Sequence, residues 1–407
     1  MSVAGCLRAW IWIPTLLSFS CAAATPRSPY GPRLERVVVL DGLRSPWSLA
    51  FINEETVLIT EKEGELLRVD LRSGVRRPVR GLPEDRAPSA LDSVRSDNSG
   101  LFEVLLAPDF PRDPYVYLSY AAAHGEGRTT KVVRGKLLGE SLVEVETLFV
   151  AKPYTQGQFH HFGGGMTFGP DGHLYFTVGE RLFDEQDEPP LPIAQDLTDR
   201  RGKIYRLKAD GTIPNDNPDF GPSAVPGLWA VGIRAAQGLT VRPGKGEIWF
   251  SEHGTRQGDE LNRLLRGANY GWPVRTTGGY RSPDYKPPSL SDRTFIPPRW
   301  AWLQTVAPTG LAFYDGAEFP SWQGDLLVGG LSRGSLWRVN FEDDVIVGVE
   351  ELLVHDRIRT RNVAVSPAGA VYVLTDTLFR VAEGRLEFTG RPSGQLQRIV
   401  NARPLDR

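Results

Sequence analysis

The 407-residue sequence has two cysteines, Cys6 and Cys21, so nothing beyond residue 21 can build a disulfide framework or do thiol chemistry. Charge of one sign is also missing. Lys+Arg number 47 against 49 Asp+Glu, a formal net charge of −2. That balance gives no electrostatic reason to expect nucleic acid or an anionic membrane as partner. No segment after the first two dozen residues is long and apolar enough to span a bilayer, and none keeps a 3.6-residue apolar period. What the chain does have is glycine (43) and proline (32), which favours many turns over long helices.

Residues 9–19, "AWIWIPTLLSF", follow Arg8 and precede the small-residue stretch "SCAAATP". The run is too short to cross a bilayer but suits the core of a signal peptide, expected over residues 1–25. The chain is therefore expected to be exported to a periplasmic or extracellular space. The competing reading is a buried N-terminal strand. "LSFSC" (17–21) imperfectly matches a bacterial lipoprotein signal, so a lipid anchor at Cys21 is a subsidiary expectation.

Beyond residue 35 one pattern returns: an apolar strand, a Pro/Asp/Gly turn, a second apolar strand, a glycine, then a third strand of the form L-x-R-V. "SLAFINEETVLITEKEGELLRVD" (48–70) shows it whole. "LFEVLLAPDFPRDPYVYLSYA" (101–121), "GMTFGPDGHLYFTVGE" (165–180) and "GLTVRPGKGEIWFSEHG" (238–254) repeat its first part. "TGLAFYDGAEFPSWQGDLLVGGLSRGSLWRVNF" (309–341) and "VAVSPAGAVYVLTDTLFRVAEG" (363–384) complete the set. Six such units predict an all-β fold, a six-bladed β-propeller of four-stranded antiparallel blades, as a single domain over residues 35–403. "LERVVVL" (34–40) and "GQLQRIV" (394–400) are extra strands that close the ring or pack on it. A pair of β-sandwiches, the competing fold, needs no such self-similarity. The longest insertions are read at 181–201, 212–237, 255–308 and 342–362, and function is expected where loops gather at one mouth of the channel.

"QFHHFGGGMTFGPDGHLYFTVGER" (158–181) sets two of six histidines against three glycines. Imidazole suits a general base because its unperturbed pKa lies near neutral. A hydrogen-bonded loop role is the plain alternative for either ring.

These residues, together with "SPWSLAF" (45–51), "GIRAAQGL" (232–239), "SEHGTRQGDELNRLLRGANYGWP" (251–273) and "RTRNVAVSPAGAVYVLTD" (359–376), resemble the soluble quinoprotein glucose/sorbosone dehydrogenases, also called aldose sugar dehydrogenases. The resemblance runs from about residue 38 to 383. It implies a six-bladed propeller that binds pyrroloquinoline quinone and Ca2+ and oxidises the anomeric carbon of a sugar to a lactone. Electrons would pass to an external acceptor. The base maps to His161, with His160 a neighbour and Gly163 and Gly164 giving a flat cofactor clearance. Arg234, Gln237, Arg359 and Arg361 map to cofactor ligands; residues i and i+2 of a strand point the same way, so Arg359 and Arg361 would grip one ligand together. Asn98 stands where a cofactor-contacting glutamine is found. The carbonyls of Gly254 and Thr255 map to a bridging calcium, and Glu260 with the Tyr270 carbonyl to a structural one, both oxygen donors as calcium requires.

Two departures stand out. Ala235 replaces an asparagine that contacts the quinone, a hydrogen bond worth about 0.5–1.5 kcal/mol. Ser332, with Arg333 beside it, replaces a lysine. They motivate an alternative, a non-catalytic propeller that has lost quinone binding. A propeller hydrolase using a metal-activated water lacks the expected set of inner-strand carboxylates.

Overall fold

A computed structural model describes residues 33–87, 89, 97–157, 160–181, 191–354, 358–376, 379–382, 385–388 and 394–402. The proposed signal peptide, with Cys6 and Cys21, lies outside the described residues.

Each apolar run of the repeat forms a strand, and the turns between them use the expected chemistry. At the Pro170-Asp171-Gly172 turn, Gly172 takes φ +72° and donates to the Gly169 carbonyl at 3.0 Å, while Asp171 caps the His173 amide at 3.1 Å. Six four-stranded antiparallel sheets result. The first blade is Pro46–Asn53, Thr56–Glu61, Leu66–Asp70 and Arg76–Pro78. The second is Leu101–Leu106, Tyr115–His124, Gly127–Leu138 and Ser141–Val150; the third is Gly163–Phe168, Leu174–Val178, Lys203–Leu207 and Leu228–Val231. The fourth is Ala236–Arg242, Glu247–Glu252, Asp259–Arg263 and Trp300–Trp302; the fifth is Pro308–Phe313, Leu326–Gly330, Ser335–Glu342 and Val345–Leu352. The sixth has Thr360–Val365, Val371–Thr375 and Gly394–Asn401, and takes its outer strand, Leu34–Leu43, from the other end of the chain. The two extra strands read from the sequence thus close the ring. Among the described residues there is no α-helix, only 3-10 turns at Ile193–Gln195 and Pro320–Trp322.

Blades adhere through apolar faces and through one repeated polar contact. Phe149, Phe176 and Tyr205 pack between the second and third blades, and Trp249, Phe313 and Trp337 between the fourth and fifth. Each such ring contributes roughly 1.5–3 kcal/mol on burial. Hydroxyls on second strands reach the inner strand of the next blade: Thr60 to the Phe102 carbonyl (2.6 Å), Ser119 to Gly164 (2.5 Å), Thr177 to Ala236 (2.9 Å) and Ser251 to Thr309 (2.7 Å). The Asn362 amide donates to the Trp47 carbonyl at 3.1 Å and ties the sixth blade to the first. In the third and fifth blades the arginine of L-x-R-V meets a carboxylate of the loop between the first two strands: Arg206 meets Asp171 at 2.9 Å and Arg338 meets Asp325 at 2.6 Å.

Two sequence readings need correction. The L-x-R-V at 378–381 is not a blade strand: Phe379–Ala382 pairs with Arg385–Phe388 in a separate hairpin, and Gly394–Asn401 fills the third place. The stretches 212–237, 255–308 and 342–362 are not pure insertions, because they hold the blade strands Leu228–Val231, Asp259–Arg263, Trp300–Trp302 and Val345–Leu352. Leu228–Val231 and Trp300–Trp302 are only four and three residues long, Asp259–Arg263 is polar, and Val345–Leu352 has no buried residue, so none of them reads as plainly as an inner strand.

Candidate active site

In an antiparallel blade the start of the inner strand and the end of the second strand share one edge. Six blades bring these edges together around the ring axis, and a cavity of about 310 Å³ opens there. Trp47 and Lys62 come from the first blade, Phe102 from the second, Phe162 and Gly163 from the third, Gln237 and His253 from the fourth, Leu331 and Ser332 from the fifth, and Arg359 and Arg361 from the sixth. His160, His161, Asn98 and Arg281 complete the polar wall. Among the described residues no aspartate or glutamate lines it.

His161 sits at φ +48°, immediately before a bulge between Gly163 and Met166. Its Nδ1 lies 2.5 Å from Glu180 Oε1, and both side chains are nearly inaccessible, 12% and 1% exposed. With Nδ1 engaged, Nε2 is the ring nitrogen left to face a substrate. Burial, reinforced by Arg234 and Arg281, holds the imidazolium pKa well below the usual histidine value, so the ring is neutral at neutral pH. Glu180 was missed in the sequence. It stands alone after a strand, and only the fold shows that strand's end to adjoin the His161 turn.

The glycines serve a purpose beyond the one expected. A Cβ on Gly163 would meet Thr177 O and Gly179 N at 2.8 Å, and one on Gly164 would meet the Phe102 ring at 2.8 Å. Both have positive φ, +76° and +99°. They allow the bulge and the blade-to-blade approach, and Gly163 also lines the cavity. His160 is more than a bystander: its Nδ1 accepts from the Asn98 amide at 2.8 Å, and both line the cavity. Its carbonyl accepts from Arg181 Nε at 2.9 Å, and that guanidinium lies 3.7 Å from the Phe162 ring centroid, fixing the turn.

Arg359 and Arg361 converge, as i and i+2 require. Their Nη2 atoms lie 3.4 and 3.6 Å from one oxygen of Asp376, a buried partner the sequence did not flag. Burial alone would raise the Asp376 carboxyl, but the two arginines outweigh it and its pKa falls. Arg361 Nη1 donates to Gln237 Oε1 at 2.8 Å, and burial lowers the arginine to about 10. Ser332 lines the cavity, whereas Arg333 pairs with Glu351 at 3.1 Å and is not part of the wall. Ala235 is buried and also absent from the wall.

Arg234 is placed differently from the other expected cofactor ligands. It lines a second, water-sized cavity of about 10 Å³ with Glu252, Gly254, Glu260 and Tyr270, and its Nη1 donates to the Gly254 carbonyl at 2.7 Å and to that of His253 at 3.1 Å. Thr255 lines neither cavity; its hydroxyl donates to the Gly279 carbonyl. Glu260 accepts from Thr277 at 3.0 Å, and burial raises its carboxyl. Glu252 is pushed up to about 8 by burial and by Glu260. Asp259 is buried and accepts amides of Gly254, Val306 and Ala307 at 2.8, 2.6 and 2.7 Å.

Known proteins share this plan. The chain is 33% identical over 348 residues to aldose sugar dehydrogenase YliI of Escherichia coli, covering 83% of this chain and 89% of that protein. The structure of the soluble aldose sugar dehydrogenase of Escherichia coli in the apo form superimposes with a TM-score of 0.76 at 32% identity, over 91% of this chain and all of that one. The PQQ-bound aldose sugar dehydrogenase of Streptomyces coelicolor matches at 27% identity and a TM-score of 0.68, with coverage of 91% and 100%. The family model described as Glucose / Sorbosone dehydrogenase matches residues 43–385, and the chain belongs to that family.

Proposed function

We propose that this protein is an exported quinoprotein dehydrogenase that oxidises the anomeric carbon of an aldose to a lactone, with His161 as general base. The observation that carries this reading is a neutral, buried His161 held by Glu180 at the edge of a cation-lined cavity. Pyrroloquinoline quinone fits the donor set. A planar ligand with three carboxylates needs fixed cations and no opposing acids, and the wall offers Arg359, Arg361, Arg281 and Lys62 with Gln237 and Asn98. The buried Arg361 Nε lacks a partner among the described residues. When bound, the quinone supplies the two-electron acceptor for the anomeric hydride, from which an external carrier is reduced.

The protein's own contribution is acid–base and positional. His161 Nε2 accepts the proton of the anomeric hydroxyl, and Glu180 across the ring stabilises the imidazolium that forms. Arg359 and Arg361, fixed by Asp376, hold the acceptor against the reacting carbon.

Calcium divides into two cases. The Gly254 carbonyl is already capped by Arg234, so Gly254 and Thr255 as arranged do not fit a bridging ion, and no step is routed through one. Glu260, with the Tyr270 carbonyl and Glu252, fits a structural calcium: burial raises both carboxyls and Glu260 raises Glu252 further, a cost that a divalent cation removes. Residues 1–25 would direct export, with Cys21 the point of any lipid attachment. Among the described residues no helix is long and apolar enough to cross a membrane.

The test is reduction of an artificial electron acceptor by purified protein supplied with the quinone and calcium, over a panel of aldoses. Turnover with at least one aldose is expected, and His161→Ala should abolish it while leaving quinone binding intact. Quinone binding with no turnover on any sugar would sink the dehydrogenase reading and favour a binding module.

A further inference from the structure

Lys62 follows the second strand of the first blade, two residues after Thr60. Its position repeats around the ring. Two residues after Ser251, whose hydroxyl plays the same blade-joining part as that of Thr60, stands His253, and both Lys62 and His253 line the cavity. The backbone of Lys62 is tied down, its amide donating to the Ser45 carbonyl at 3.1 Å and its carbonyl accepting from Ser89 at 3.2 Å. The side chain is 7% exposed.

Every other full cation of the wall has a partner: Arg359 and Arg361 share Asp376, and Arg281 is also engaged. Among the described residues the Lys62 ammonium makes no hydrogen bond and no ion pair. The carboxylates nearest in electrostatic effect, Asp376 and Asp97, are committed elsewhere. Asp376 belongs to the two arginines, and Asp97 accepts from Arg128 and Ser99. A buried ammonium without a partner is costly, and burial brings its pKa down to about 8, still cationic at neutral pH. An arrangement that keeps such a charge at a cavity wall makes physical sense when the partner arrives with the ligand.

We propose that Lys62 is a further ligand-binding residue of this cavity, donating its ammonium to an anionic oxygen of the bound quinone from the first blade, next to the paired arginines of the sixth. The inference rests on the quinoprotein reading. It assigns the first blade a part in holding the cofactor that the sequence motifs gave only to later blades.

The test uses apo protein and equilibrium binding, not turnover. Wild type, Lys62→Met and Lys62→Arg are titrated with pyrroloquinoline quinone, followed by quenching of tryptophan fluorescence (Trp47 shares the wall) and by calorimetry. Lys62→Met should weaken binding by about tenfold or more, the loss of one charge-assisted hydrogen bond. Lys62→Arg should recover most of that affinity. Because the methionine variant removes an unpartnered buried charge, its apo melting temperature should equal or exceed that of wild type. Unchanged affinity in Lys62→Met would overturn the proposal, as would a lowered apo melting temperature, which would mark Lys62 as structural. A wild-type protein that binds no quinone would refute the quinoprotein reading itself.

Discussion

Replacing Glu180 by glutamine keeps the shape of the side chain beside His161 and removes its charge. The two groups are in contact through Nδ1 and Oε1 at 2.5 Å, and neither is open to screening solvent. Their charge centres are about 4 Å apart, where an ion pair is worth about 4 kcal/mol at an effective dielectric constant near 20. That interaction exists only once the imidazole has taken a proton, so it belongs to the transition state. At about 1.4 kcal/mol per decade, kcat should fall by roughly 10²- to 10³-fold, some of the loss being offset by the amide's remaining hydrogen bond. Arg234 and Arg281 still disfavour the imidazolium in the variant, so nothing nearby replaces the lost anion. The quinone affinity should stay within about threefold, because Glu180 is not in the wall. The sign of the pH effect is fixed too. Without the carboxylate the imidazolium is less stable, its pKa drops further, and the acid limb of the kcat/KM profile moves to lower pH. Steady-state dye reduction across pH 4 to 9 reads both quantities. A decrease in kcat of less than about threefold, or an acid limb that moves upward, would refute the assignment of Glu180 as the positioning residue for His161.

Arg359→Ala and Arg361→Ala should each weaken quinone binding by about 10- to 100-fold, and the double variant should lose less than the product, because both arginines share Asp376; fluorescence titration of the three variants decides. Chelation should lower the melting temperature of the wild type but not of Glu260→Gln, and calcium affinity should rise with pH from about 5 to 8. The sign follows from the raised carboxyls of Glu252 and Glu260, whose protons calcium must displace; calorimetry in buffers of different ionisation enthalpy checks it. Gly164→Ala should destabilise the fold by about 2–4 kcal/mol, since its φ is +99° and the new methyl would meet the Phe102 ring at 2.8 Å. A denaturation midpoint within error of wild type would show that the bulge can relax.

The ring was legible in the sequence because each inner and second strand is an apolar run broken by a turn, repeated six times. Apart from Leu34–Leu43, the outer strands were harder to read, because Arg76–Pro78 and Trp300–Trp302 are three residues long and Val345–Leu352 has no buried residue. A local motif also misled: Leu378-Phe379-Arg380-Val381 copies the third-strand signature, but pairing depends on which strand edge is free, and Gly394–Asn401 takes it. In the site, Arg359 and Arg361 came from the family resemblance, and strand periodicity added only that the two would converge. Glu180, Asp376 and Lys62 were not, being single charged residues just past second strands whose convergence is a product of ring curvature. Gly163 and Gly164 were noticed for their permissive backbone, but their part in a bulge and in the approach of two blades was not legible from the sequence.

The pairing of Leu34–Leu43 with Gly394–Asn401 also sets the timing of folding. Arg36 bonds Gln397 at 3.1 Å, across 361 residues of chain. At about 5–20 residues per second, the first of these partners waits roughly 20–70 s on the ribosome for the second. Until then the first blade has an open neighbour, and its edge is exposed to pairing with other nascent chains. The cavity cannot exist in that interval, because Lys62 and Arg361, on opposite sides of the seam, meet only when the seam shuts. A truncation within the last strand should therefore disrupt the cavity although it removes none of the residues that line it.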